Sequence, residues 1–131
     1  VAPTWGVNNR SVAVRVPAGS RSARRVEHRL SGVDANPYLV GATVLAAMRK
    51  GITEQIAPGA ETTGNGYGAD TTQALPRDWS AAIAAAQAST FLIDALGEEM
   101  HRTFTAVKAA EYARVARTIP DVDYDLYLHT I

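Results

Sequence analysis

The sequence contains no cysteine, which excludes a disulfide framework, a thiolate metal site and a cysteine nucleophile together. It carries no net charge either. Thirteen Lys and Arg balance thirteen Asp and Glu over 131 residues, so the global positive footprint of a general nucleic-acid or membrane-surface binder is missing. No apolar run approaches the length of a bilayer-spanning helix, and no basic stretch followed by an apolar one opens the chain. The expectation is a soluble protein compatible with a reducing cytoplasm, with neither nucleic acid nor membrane as partner. A chain of this length amounts to at most one domain. Its opening, VAPTWGVNNR, lacks an initiator Met and runs straight into strand-like sequence, as a piece of a longer chain would.

What is present is a local concentration of charge. Residues 8–30, NNRSVAVRVPAGSRSARRVEHRL, gather Arg10, Arg15, Arg21, Arg24, Arg25 and Arg29 around one acid, Glu27. Val12, Val14 and Val16 alternate with Ser11, Ala13 and Arg15, the period of a half-buried strand, and Pro17–Ser20 ends it. A second strand is expected from about Arg24 to Leu30. Its parity sets Val26, His28 and Leu30 on a core face and Arg25, Glu27 and Arg29 on a charged one.

Helices follow. Asn36 and Pro37 read as N-cap and first helical position of an almost wholly apolar helix that ends at Arg49, Lys50 and Gly51 and should lie against a sheet. Residues 57–77 read as a long loop rich in Gly, Thr, Ala and Pro. Asp78 caps a helix expected to run from Trp79 to about Leu96, where Gly97 breaks it. The last helix opens with Glu98 and Glu99, with Met100, Phe104, Val107 and Val115 at helical spacing, and Pro120 ends it before the tail DVDYDLYLHTI. No internal repeat is present, and His101 reads as surface.

Arginine presents a planar fork of donors suited to carboxylate and phosphate oxygens, so several converging on one face form an anion site. Glu27 between Arg25 and Arg29 has two readings. It relieves repulsion on a solvated strand face, or it offers a hard oxygen to Mg²⁺ or Mn²⁺ while the arginines hold phosphate, as phosphoryl transfer requires. No aromatic residue interleaves the arginines, which argues against single-strand nucleic-acid binding.

The segments NRSVAVRVP, ARRVEHR and DANPYLVGATVLAAMRKGI, in that order, closely resemble the C-terminal part of the catalytic domain of the glutamine synthetase family. The likeness continues through LPRDWSAAI, ALGEEM and VKAAEYARV to YDLYL, nearly the whole chain. The spellings RRVEHR and WGVNNR are most similar to the γ-glutamylpolyamine (putrescine) synthetase branch. The resemblance implies an α+β fold, with two antiparallel strands from the C-terminal half of the catalytic sheet followed by three main helices, and residues 1–131 as the C-terminal portion of that domain.

It also implies an ATP-dependent ligase. Glutamate accepts the terminal phosphoryl group of ATP, and ammonia or an amine attacks the γ-glutamyl phosphate. Residue by residue, Arg10 matches an arginine that steadies the transferred phosphoryl group, and Arg15 and Arg25 match arginines on the nucleotide phosphates. Glu27 matches a ligand of Mg²⁺ or Mn²⁺, and Arg29 an arginine that binds glutamate. Arg24 has the opposite parity and reads as structural, Arg21 lies in the connecting loop, and His28 reads as a hydrogen-bonded core residue. Tyr67 sits where some bacterial relatives carry a nucleotidylated tyrosine, but GNGYGAD lacks the leucine, aspartate and paired prolines usual around it.

The family's other metal ligands, its ATP-binding loop and its N-terminal domain would precede this segment, and its subunits form homo-oligomeric rings with sites at their boundaries. The segment alone is therefore expected to be inactive. The alternative is a non-catalytic remnant that serves as a binding or assembly module.

Overall fold

The computed structural model describes residues 2–68 and 75–128. The chain divides into two units at Leu75/Pro76. In the first, β1 (Ala2–Val7), β2 (Val12–Val16) and β3 (Glu27–His28) form a sheet in the order β1-β2-β3. The valine alternation makes β2 the central strand. Val12 is fully buried and Ala13 and Ala2 nearly so.

β2 and β3 are antiparallel, with Arg15 opposite Glu27 and Val14 opposite His28, and the backbone N–H of Arg29 donates to Ala13 O at 2.9 Å. The expected antiparallel pair is thus present, but β3 spans two residues rather than seven. A third strand, β1, was not anticipated. It pairs with β2 in parallel, Trp5 opposite Val14 and Val7 opposite Val16. Parallel neighbours normally need a crossover of a dozen or more residues. Here residues 8–11 suffice, with Asn8 turning in the left-handed region (φ 52°), which asparagine tolerates better than most residues.

Helix α1 (Pro37–Thr53) begins as expected, with the Asn36 side chain accepting from the backbone N–H groups of Tyr38 (3.0 Å) and Leu39 (3.3 Å). It carries no buried residue, and Tyr38, Leu45, Met48 and Ile52 are exposed, contrary to the expected burial against a sheet. The apolar face is present in sequence, while the small sheet does not cover it. Val26 and Leu30 are exposed for the same reason, and so is His28. Residues 59–66, read as plain loop, return to line β1, and a single 3₁₀ turn follows at Gly66–Gly68. The rest of that expected loop, residues 69–74, lies outside the described residues.

The second unit is helical. The expected helix from Trp79 to Leu96 is two, α2 (Trp79–Gln87) and α3 (Thr90–Leu96), bent by 71°. Ser89 causes the break, because its hydroxyl accepts from the N–H of Leu92 at 3.2 Å and caps a new helix in place of continuing the old one. Asp78 caps α2, accepting from the Ala81 N–H and the Ser80 hydroxyl at 2.8 Å each, and these bonds hold its carboxyl below the usual range.

Helix α4 (Glu98–Val115) packs on both α2 and α3. The expected stripe is not its packed face. Met100, Val107 and Val115 are exposed, while His101 and Thr105 are buried. His101 Nε2 bonds to Ala86 O at 2.8 Å, and Trp79 meets Tyr112 edge-to-face at 5.6 Å, so α2 runs antiparallel along α4. After Pro120 the tail forms a further helix, α5 (Asp121–Tyr127), with Asp121 and Asp123 in its first turn where the helix dipole favours acids. Among the described residues no single helix is long and apolar enough to cross a membrane.

The cap of α1 gives a first test. Asn36→Ala lowers stability by about 1 kcal/mol, and Asn36→Ser, which keeps an acceptor, by clearly less. Urea unfolding midpoints at constant m-value measure both.

Candidate functional site

The pairing of β2 with β3 creates the charged centre. Residues directly opposite on an antiparallel pair share a face, so Arg15 and Glu27 meet, with Arg15 Nη1 2.8 Å from Glu27 Oε2. Arg25, two residues before Glu27, approaches the other carboxylate oxygen, with Nη2 at 3.2 Å from Oε1. Both oxygens of one carboxylate are therefore held by separate guanidinium groups. The two sides differ in exposure: the Arg15 side chain is 16% exposed and that of Arg25 is 60%. Arg15 also reaches the loop, its Nη2 donating to Asn8 Oδ1 at 3.3 Å, while its buried Nε has no partner.

The hydrogen bond from Arg15 is the main cause that holds the Glu27 carboxyl below its usual range. The charges of Arg15 and Arg25 add to it, and partial desolvation opposes them. Glu27 is thus a carboxylate at neutral pH.

Arg10 stands on the 8–11 connection and lines a pocket of about 320 Å³ with Val7, Asn8, Asn9 and, from the returning segment, Glu61, Thr62, Thr63 and Gly64. Among the described residues its side chain has no hydrogen bond or ion pair. Asn8 joins the two regions: it lines this pocket, and its Oδ1 accepts from Arg15 Nη2 and from the Ala18 N–H at 2.8 Å. Arg29 lies just past β3, its backbone N–H bonded to Ala13 O, and is exposed.

The five expected residues therefore fall into three places. Arg15, Arg25 and Glu27 are in contact, Arg10 is one asparagine away from them, and Arg29 lies just past β3 without touching them. Arg21 lies in a 3₁₀ turn at Arg21–Ala23, and Arg24 caps it, both exposed. Tyr67 is exposed in the Gly66–Gly68 turn. Residues 8, 9, 11 and 61 were not expected at the site. For the first three the run Asn8–Asn9–Arg10–Ser11 carried the only signal, since short amide and hydroxyl side chains bond readily to nearby backbone, and for Glu61 there was none.

No group of three His, Asp or Glu side chains able to hold a metal ion occurs among the described residues. Glu27 brings one carboxylate to this face, and both of its oxygens are engaged by Arg15 and Arg25.

The order of motifs on this geometry has an identifiable source. Residues 1–127 match the family described as glutamine synthetase, catalytic domain, and the chain belongs to that family. Among its relatives, gamma-glutamylputrescine synthetase PuuA of Escherichia coli (strain K12) is 34% identical over 125 residues, 95% of this chain and 26% of the relative. The glutamine synthetase of Halobacterium salinarum is 33% identical over 95% of this chain and 29% of the relative. That of Mycobacterium tuberculosis (strain H37Rv) is 32% identical over 97% of this chain and 31% of the relative. The chain thus spans between a quarter and a third of the length of these relatives.

The lowered Glu27 pKa fixes the sign of a pH effect. A carboxyl depressed in the folded state contributes stability that is present above its unfolded pKa and is lost as pH falls through its folded one. The stability advantage of the protein over Glu27→Gln is therefore present at neutral pH and vanishes on acidification through the carboxylate range. Urea midpoints of both proteins across that range, at low salt, measure it.

Proposed function

We propose that this segment supplies the nucleotide-phosphate and metal side of the site of an ATP-dependent carboxylate–amine ligase. The supporting observation is the single carboxylate held at 2.8 and 3.2 Å by Arg15 and Arg25 on one strand face. In this reading Arg15 and Arg25 contact the phosphates of ATP, Arg10 steadies the phosphoryl group in transfer, and Arg29 binds the glutamate substrate. Glu27 is a ligand of Mg²⁺ or Mn²⁺, which when bound neutralises phosphate charge. The remaining metal ligands come from outside these residues.

The chemistry asks for little covalent participation by protein groups. Transfer of the γ-phosphoryl group from ATP to the glutamate side-chain carboxylate releases ADP and forms an acyl phosphate. Attack by ammonia or an amine then displaces inorganic phosphate and forms the amide. Arg10, Arg15 and Arg25 act by placing fixed positive charge where negative charge accumulates. The repulsion between Arg15 and Arg25 is held in check before substrate binds by Glu27, which remains ionised at neutral pH.

The two branches represented among the relatives differ in the amine, ammonia or putrescine, and identities of 34% and 33% do not separate them. Assembly into a homo-oligomeric ring belongs to the same proposal.

In the full-length protein, Glu27→Ala is expected to lower ADP release dependent on glutamate, amine and Mg²⁺ by at least ~100-fold, in the range seen for loss of one key electrostatic contact. Turnover at the wild-type rate in that variant would leave only a structural or assembly role for the segment. Comparing ammonia with putrescine as acceptor in the same assay assigns the branch.

A further inference from the structure

Asn9 uses its whole hydrogen-bonding capacity. Its Nδ2 donates to Thr62 O at 3.0 Å and to Gly64 O at 2.9 Å, and its Oδ1 accepts from the Ser11 N–H at 2.9 Å and the Ser11 hydroxyl at 2.6 Å. An amide has two donor hydrogens and two acceptor lone pairs, so all four positions are filled. The Ser11 hydroxyl in turn accepts from the Gly66 N–H at 2.7 Å. Three backbone groups of residues 62–66 are thereby bound by the two residues that flank Arg10.

The same segment is fastened to β1 as well. Trp5 Nε1 donates to Gly59 O at 3.1 Å, the Thr62 N–H to Trp5 O at 2.9 Å, and the Val7 N–H to Glu61 Oε1 at 2.9 Å. Close approach is a second, independent sign of the fit. A Cβ on Gly6 would lie 2.7 Å from Thr62 O, and one on Gly66 would lie 2.8 Å from Ser11 O. Both obstacles are backbone atoms that cannot rotate away, so only glycine permits the contact.

Arg10 sits at the centre of this arrangement with its neighbours on either side fixed and its guanidinium without a hydrogen bond or ion pair among the described residues. We infer that residues 59–66 form a positioning strap for Arg10, acting through Asn9 and Ser11, and that Asn9 is a positioning residue for phosphoryl transfer. The inference rests on the role given to Arg10 above. A guanidinium stabilises a transferring phosphoryl group through directed hydrogen bonds, so its value depends on where its Cα is held. A free side chain on a fixed backbone meets that need: the strap sets the origin of the side chain, and the substrate orients its end.

Asn9→Asp in the full-length protein is the direct test. The change keeps the shape and the two acceptor bonds from Ser11, but replaces both donors by a carboxylate oxygen facing the carbonyls of Thr62 and Gly64. The expected result is a kcat lowered about 10- to 100-fold, the scale of a displacement of about 1 Å, with KM for ATP within about twofold of wild type.

Pairing the change with Arg10→Lys separates positioning from general damage. Lysine is a point charge on a flexible stem and lacks the planar fork whose orientation matters. In the Arg10→Lys background, Asn9→Asp should therefore cost less than about threefold. An equal loss in both backgrounds, or an unchanged kcat in Asn9→Asp alone, overturns the inference. Arg10→Lys with wild-type kcat instead overturns the role of Arg10 on which it rests. If Asn9→Asp yields no folded protein, Ser11→Ala, which removes only the acceptor for Gly66 N–H and one donor to Asn9, is carried through the same cycle and judged by the same outcomes.

Discussion

The side chain of Asn9 is the contact on which the first unit depends. Two strands joined by four residues cannot run parallel unless the connection is held in a shape it would not adopt alone. The cost is ordering a short polar loop that includes a residue with positive φ. Asn9 meets it by linking the loop to itself, through Ser11, and to residues 62–64 more than fifty positions away. Each bond is individually modest, but removing the side chain would deprive two backbone carbonyls, a backbone N–H and a hydroxyl of a partner at once, and unsatisfied groups are where the larger penalty lies. The β1–β2 connection, the path of residues 62–64 and the pocket around Arg10 meet at this one amide.

The second constraint is electrostatic. A neutral protein that gathers arginines on one short sheet must separate or compensate them. Glu27 compensates two, and its position opposite Arg15 comes from the sheet register, so charge balance and strand pairing are one feature. Arg15 is the better buried of the two and is further held by Asn8, which ties the electrostatic centre to the loop that Asn9 organises. Arg10 and Arg29 stay outside that compensation.

Much of this was legible in the sequence, and the failures have a common cause. Period-two alternation located β2, because side-chain direction in a strand is set by the local backbone, and the contact of Arg25 with Glu27 agrees with the expected shared face. The caps Asn36 and Asp78 were equally local and are equally present. Alternation states which face is apolar, however, and says nothing of what covers it, so Val26, Leu30 and α1 were assigned a core that they do not meet here. The α2–α3 break turned on one serine hydroxyl in an alanine-rich run, where helix propensity alone favours continuation. In α4 the apolar count favoured Met100 and Val107, yet contact with α2 was decided by His101 and its bond to Ala86 O. β1 and the strap escaped because parallel pairing and a docked loop are long-range facts with no period to betray them.

Around the candidate site, the same distinction explains why the charged residues were singled out in the sequence and the amides were not. Arginine and glutamate announce an anion and metal chemistry by type, and a family resemblance can assign them roles one by one. Asn8, Asn9 and Ser11 announce only a turn. Their importance appears when each donor and acceptor is followed to its partner, because a buried or half-buried amide with all four positions filled specifies geometry much more tightly than a charge does. A guanidinium contributes long-range attraction from many positions, but transfer of a phosphoryl group rewards only a narrow set of them. In the proposed reading, the residues that carry charge define what class of ligand the site accepts, and the neutral residues around them define whether that ligand meets the charge at the distance where chemistry occurs.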